Sequence, residues 1–183
     1  MAKTKEETFL LSHYFNEKLS LERLKELESE YKNMLLENSL EIHSGSIMEV
    51  MLWAKRKKLL FGPYRNLTFF EISNRIYSDL ILIDAANHLF EHNKINSIVL
   101  CMSNKGGNDM VIIDKEGKEI IGEAFNTAIS FFKIKMGCEL KKFKDGLRGV
   151  IAFNETALDA SNTKYFEKKK KEFPNVEFLV CKI

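Results

Sequence analysis

Residues 107–126 read GNDMVIIDKEGKEIIGEAFN, two apolar segments around a Lys-Glu-Gly-Lys turn, with Asp109 and Glu123 at the outer ends. If the loop is Lys115-Glu116-Gly117, with Gly117 as its left-handed residue, Asp114 pairs with Lys118, and counting outward sets Asp109 opposite Glu123. Side chains opposed in this way lie about 5 Å apart at Cβ. Two carboxylates repel at that separation unless a cation lies between them. A hard divalent ion such as Mg2+ suits the position, because it takes few carboxylates, several waters and a phosphate. A two-residue Glu116-Gly117 loop would instead shift the pairing by one and send the acids to opposite faces. Two acids at the mouth of a hairpin can also be simply solvated.

Two further polar residues fall on apolar helical faces. In the segment after the hairpin, Ile129, Phe132, Met136, Leu140 and Phe143 share a face at about 100° per residue, with Lys133 inside it and Lys135 pointing away. A lysine so placed either snorkels outward or meets a carboxylate or phosphate. In the segment before the first strand, Ile72, Ile76, Ile83, Ala86 and Phe90 share a face with Asp79 at its centre. The helix rises about 1.5 Å per residue and the strand about 3.3 Å. An antiparallel helix and strand therefore return Asp79 to the level of the turn before Asp109. Asp79, Asp109 and Glu123 then converge, with Lys133 nearby; the plain alternative for Asp79 is a pair with Arg75 one turn away.

The elements that must position these groups are legible in outline. Leu21, Leu24, Leu27, Tyr31, Met34 and Leu35 form a helical stripe behind Ser20 as N-cap, and Ser46 with Glu49 forms a capping box ahead of VMLWAKRKKLL. Gly62-Pro63 breaks the pattern. From residue 69 the order is a long helix, strands over SIVLCMS, NDMVIID and EIIGEAFN, a helix, the strand GLRGVIAFN, a helix, and the strand VEFLVCKI. The expected fold is α/β (α+β), a central mixed sheet flanked by helices, behind a helical N-terminal part over residues 1–67.

Composition narrows the function classes. Two prolines and nine glycines in 183 residues leave little room for linkers, so one core is expected. A net charge of +2 excludes a polycation, so any nucleic-acid contact must come from local clusters. Cys101, Cys138 and Cys181 lie far apart with no CxxC pair, which reads as reduced apolar cysteines and not as a zinc site or disulfide framework. There is no signal-peptide h-region and no apolar run of membrane-spanning length, and a cytoplasmic location is expected.

The element order and the place of the two acids within it resemble the PD-(D/E)XK nuclease superfamily, which includes many type II restriction endonucleases. Asn108-Asp109 stands where that family has Pro-Asp, and Glu123-Ala124-Phe125 where it has its (D/E)XK triplet. The likeness covers residues 68–183. It implies a restriction-endonuclease-like αβββαβ core and Mg2+-assisted hydrolysis of double-stranded DNA, most like a small homodimeric type II restriction endonuclease. A repair or phage nuclease on branched or single-stranded DNA, or an inactive nuclease-like domain that binds DNA or a protein, are the alternatives. By the same likeness Asp79, Asp109, Glu123 and the Ala124 carbonyl hold the metal. Phe125 occupies the triplet's lysine position, and some members move that lysine to the following helix, where Lys133 is the candidate. Lys55, Arg56, Lys57, Lys58, Arg65 and Lys105 are candidate DNA contacts, and residues 1–67 a region for DNA contact or dimerisation.

Overall fold

The structure, a computed structural model, describes residues 17–102 and 107–183. The chain enters as α1 (Leu21–Glu37) and α2 (Ile47–Arg56), then a short hairpin of β1 (Leu59–Phe61) and β2 (Tyr64–Leu67). Both helices begin at the caps their sequences supply. Ser20 accepts from the Arg23 N–H, and Ser46 and Glu49 close the expected capping box. Gly62-Pro63 is more than a break. It is the two-residue turn of that hairpin, with Gly62 at φ +52°.

The long helix α3 (Phe69–Glu91) starts at a second capping box, Thr68 with Glu71. Then follow β3 (Ile95–Leu100), β4 (Met110–Asp114), β5 (Glu119–Phe125), α4 (Phe132–Leu140), β6 (Gly149–Asn154), α5 (Ala160–Glu172) and β7 (Val176–Cys181). A single 3-10 turn, Ile129–Phe131, precedes α4, and a six-residue 3-10 segment, Lys141–Gly146, follows it. Strands β3 to β7 form one mixed sheet in sequence order. The β3-β4 and β4-β5 pairs are antiparallel; β5-β6 and β6-β7 are parallel. The described residues thus form a mixed α+β fold of five helices around a five-stranded mixed sheet.

Alternation along the strands splits the interior in two. In β6, Val150 and Ala152 face a core shared with α1 and α3, while Ile151 and Phe153 face a second core built on α4 and α5. Because α1 contributes Leu24, Leu27, Tyr31 and Met34 to the first core beside Ile72, Leu82 and Ala86 of α3, the N-terminal part is packed into the same body as the sheet. Leu19 adds two backbone hydrogen bonds to Ile98 at the free edge of β3, at 2.7 and 3.1 Å. Among the described residues no helix is long and apolar enough to cross a membrane.

Candidate active site

The hairpin adopts the three-residue loop. Gly117 has φ +78°, the Asp114 N–H donates to the Lys118 carbonyl at 3.0 Å, and the ladder runs Ile113 to Glu119, Ile112 to Ile120, Val111 to Ile121 and Met110 to Gly122. One step further along this ladder stand Asp109 and Glu123. Glu123 shares strand parity with Ile121 and Phe125, so it points to the α4 side of the sheet. The Asp109 carboxylate is fixed by the Ala124 N–H, which donates to its Oδ2 at 2.9 Å.

Asp109 and Glu123 open into a cavity of about 310 Å³ at the rim of the sheet. Asp79 and Ser78 reach it from α3, Ala124 and Asn126 from β5 and the turn after it, and Lys135, Glu139 and Lys142 from α4 and the 3-10 turn behind it. The three acids expected to converge therefore line one cavity. Its walls carry four carboxylates and two ammoniums, a surplus of two negative charges.

Asp79 is buried and accepts a hydrogen bond from the Tyr64 hydroxyl at 2.6 Å, and Tyr64 lies 2.5 Å from the Tyr31 hydroxyl. Burial first, and the Asp79 charge second, push both phenols far above their ordinary range, so both stay protonated donors. The chain Tyr31–Tyr64–Asp79 joins α1, β2 and α3. Sequence reasoning missed it, because its members lie 33 and 15 residues apart.

Lys133 is not at the site. It is exposed and donates to Ser161 Oγ on α5 at 2.8 Å. The reason is helical phase. Ile129 lies in the 3-10 turn and not in α4, and it is exposed. The buried face of α4 and the turn behind it is Phe132, Met136, Glu139, Leu140 and Phe143; Lys133 falls beyond one edge of it, and Lys135, beyond the other, lines the cavity. Long-range contacts set the phase. Asn154 at the end of β6 accepts from the Thr127 N–H and donates to the Thr127 carbonyl, at 2.9 and 3.0 Å, and Asn162 of α5 donates to the Ile129 carbonyl at 2.9 Å.

The lysine that does reach the acids is Lys142, with Nζ 2.8 Å from Glu123 Oε2 and 3.0 Å from Glu139 Oε2. Lys135 takes the other Glu139 oxygen at 2.9 Å. The neighbouring Phe143 anchors Lys142 by packing over Gly149, where even a Cβ would stand 1.9 Å from its ring. A signal for this network was present in the sequence: Lys135, Glu139 and Lys142 follow the i, i+4 and i, i+3 spacing of helical ion pairs.

Glu123 is 1% exposed; among the described residues no group donates to its Oε1, and in its neutral form the carboxyl can donate to the facing Asp109. Burial drives its carboxyl up to about 7; Lys142 pulls the other way, and the facing Asp109 adds to the rise. Burial alone would lower Lys142 and raise Glu139, yet their pairing outweighs it and moves Lys142 up and Glu139 down. Among the described residues no three His, Cys, Asp or Glu side chains are grouped tightly enough to clasp one metal ion by themselves. The donor set fits Mg2+ all the same. That ion takes one or two carboxylates and fills its shell with water and substrate oxygens. An orphan carboxylate oxygen beside a second carboxylate in a doubly negative cavity meets that need.

The other candidates lie elsewhere. Lys55, Arg56, Lys57, Lys58 and Arg65 are exposed and line no part of the cavity, and Lys58 pairs with Glu71 at 3.0 Å. Lys105 falls outside the described residues. No protein-family model matches the chain, and no curated protein or solved structure is significantly similar to it.

Proposed function

We propose that the protein is a Mg2+-dependent nuclease of the PD-(D/E)XK kind that hydrolyses phosphodiester bonds of DNA. The observation that carries this reading is Glu123 Oε1, which faces Asp109 and has no donor among the described residues, in a cavity with a formal surplus of two negative charges. The order α3-β3-β4-β5-α4-β6, with one acid entering β4 and the other on β5, supports it.

Asp109 and Glu123 would hold the ion, with Asp79 and the Ala124 carbonyl at the same rim. Bound Mg2+ would supply Lewis-acid polarisation of a phosphoryl oxygen. Lys142 has the reach and charge to donate to a phosphoryl oxygen as negative charge develops on it. Glu139 keeps that ammonium at the acids, and Lys135 presents a second cation to the phosphate. Lys142 thus takes the role that the Phe125 position lacks and that Lys133 is too far around the helix to fill.

The finer reading is a homodimeric type II restriction endonuclease on palindromic double-stranded DNA, where two-fold symmetry of protein and site would match. A nuclease on branched or single-stranded DNA shares the same chemistry. Incubation of supercoiled plasmid, linear duplex and single-stranded circles with the protein and Mg2+ tests the proposal. Cleavage that EDTA and Asp109→Asn both remove is the expected result, and discrete bands from the duplex would specify restriction. No cleavage of any of the three by protein shown to be folded would overturn the enzyme reading in favour of a binding domain.

A further inference from the structure

We infer that the outer strip of α4 and its flanking 3-10 turns docks an unpaired nucleotide, with Phe131 as the stacking platform and Lys135 and Lys142 as the phosphate contacts; the inference rests on the nuclease reading and favours a single-stranded or branched substrate over the palindromic duplex. Phe131, Lys135, Cys138 and Lys142 follow the spacing i, i+4, i+7, i+11, which lays them along one side of the helix and its continuing turn. Lys135 and Lys142 line the cavity of the acids. Phe131 closes the 3-10 turn ahead of α4, four residues before Lys135, at the end of the strip.

Two adjacent phenylalanines differ sharply in exposure. Phe132 is fully buried, with its ring 6.3 Å from Phe125, 5.1 Å from Phe153 and 6.5 Å from Tyr165. Phe131 is 61% exposed and has no ring contact among the described residues, and Ile134 beside it is 65% exposed. A flat apolar ring held in water can gain by covering its face.

Charge selects the occupant. Residues 129–146 carry five lysines against one glutamate and one aspartate, and a bound Mg2+ would offset the two formal surplus negative charges of the cavity that Lys135 and Lys142 line, so the loaded surface favours a polyanion over an apolar segment or a second copy of this basic strip. Among polyanions, single-stranded nucleic acid offers what Phe131 needs, an exposed base face next to a phosphate. Bases inside a duplex are already stacked and present only their edges. A strand with its base on Phe131 would run its backbone past Lys135 and Lys142 and bring a phosphodiester to Asp109 and Glu123.

The test is fluorescence anisotropy with a labelled single-stranded oligonucleotide and with the duplex of the same sequence, Ca2+ replacing Mg2+. Phe131→Ala should weaken single-strand binding about tenfold, within the range for losing one stacked base, and leave duplex binding unchanged. Phe131→Trp should restore it, and the single strand should protect the exposed Cys138 from alkylation. Single-strand affinity equal to the parent's in Phe131→Ala would overturn the inference, as would equal losses on both DNA forms. A dimer dissociated by Phe131→Ala with DNA affinity intact would overturn it in favour of a second copy. If the parent cleaves duplex in Mg2+ while Phe131→Ala binds and cleaves like it, the docking inference fails and the nuclease reading survives. If the parent neither binds nor cleaves DNA, both fail.

Discussion

The two ends of the β4–β5 hairpin each carry a buried acid, and they differ in everything except burial. Asp114, at the turn, is 3% exposed; Glu123, at the mouth, is 1% exposed. Asp114 Oδ1 accepts from the Glu116 and Lys118 N–H groups at 3.0 and 2.8 Å, and Oδ2 faces Arg148 at 3.3 Å. Burial would raise its pKa, but these donors outweigh it and hold the carboxyl below its ordinary value. Glu123 has one oxygen paired and one that, among the described residues, meets no donor and faces Asp109, and its carboxyl is driven up. Burial alone does not separate a structural acid from a functional one. The count of satisfied oxygens does, because a fold that needs only a tight turn saturates its carboxylate, and a site for a cation leaves one oxygen for it.

The largest effect expected from this contrast is at the mouth. Glu123→Gln and Asp109→Asn should each cost at least about two to three orders of magnitude in Mg2+-dependent cleavage while the fold stays intact. Glu123→Gln should also melt higher than the parent in EDTA. A carboxyl raised from 4.5 to about 7 is favoured in its neutral form by folding, so ionisation weakens the parent as pH rises through that window. The variant's advantage should therefore be full above about pH 7 and vanish below 4.5. A parent-like cleavage rate in either variant would remove the acids from the site.

Next in size is the lysine. Lys142→Met should lower single-turnover cleavage by about two to three orders of magnitude, the scale of one oriented donor. Lys133→Met should stay within about twofold, as for an exposed side chain away from the chemistry. The reverse outcome would show that the helical phase is misassigned.

Tyr64→Phe should weaken Mn2+ binding, read from the free-ion electron paramagnetic resonance signal, by about tenfold, because it removes the hydrogen bond by which the phenol orients the Asp79 carboxylate. Added to Asp79→Asn it should cost nothing more. Independent, additive losses would mean that the tyrosine does not act through that acid.

The smallest effect is at the turn. Asp114→Asn should leave cleavage unchanged and lower the melting temperature by a few degrees at about pH 7. Its folded-state pKa lies below 3.8, so the stabilisation is full above that value and is lost as pH falls through the folded pKa. The two melting curves should converge in strong acid. A gap that persists there would mean that the carboxylate's charge is not what holds the turn.

The register of Asp109 against Glu123 could be read from the sequence because one residue decides it. Gly117 accepts the left-handed conformation, the loop length follows, and every pair beyond is fixed by counting. The level of Asp79 could be read because helix rise and strand rise are constants. Lys142 could not be placed this way. The phase of α4 depends on Asn154 and Asn162, which come from later elements, and the apolar pattern wrongly counted Ile129 as part of the helix. The β1–β2 hairpin escaped for another reason: strands of three and four residues are too short for alternation to show. With it went Tyr64, the support of Asp79.

The change from antiparallel to parallel pairing at β5 has a kinetic consequence. Asp109 and Glu123 are brought together by a local turn, the kind of contact that closes on a microsecond scale. Lys142 rides on the crossover between β5 and β6 and arrives only when Ile121 meets Gly149 in the parallel ladder. Closing that larger loop is the slower event. During folding the two carboxylates therefore face each other first without their ammonium, and divalent ions or low pH, either of which relieves that repulsion, should speed the early step and leave the later docking of the crossover to set the overall rate.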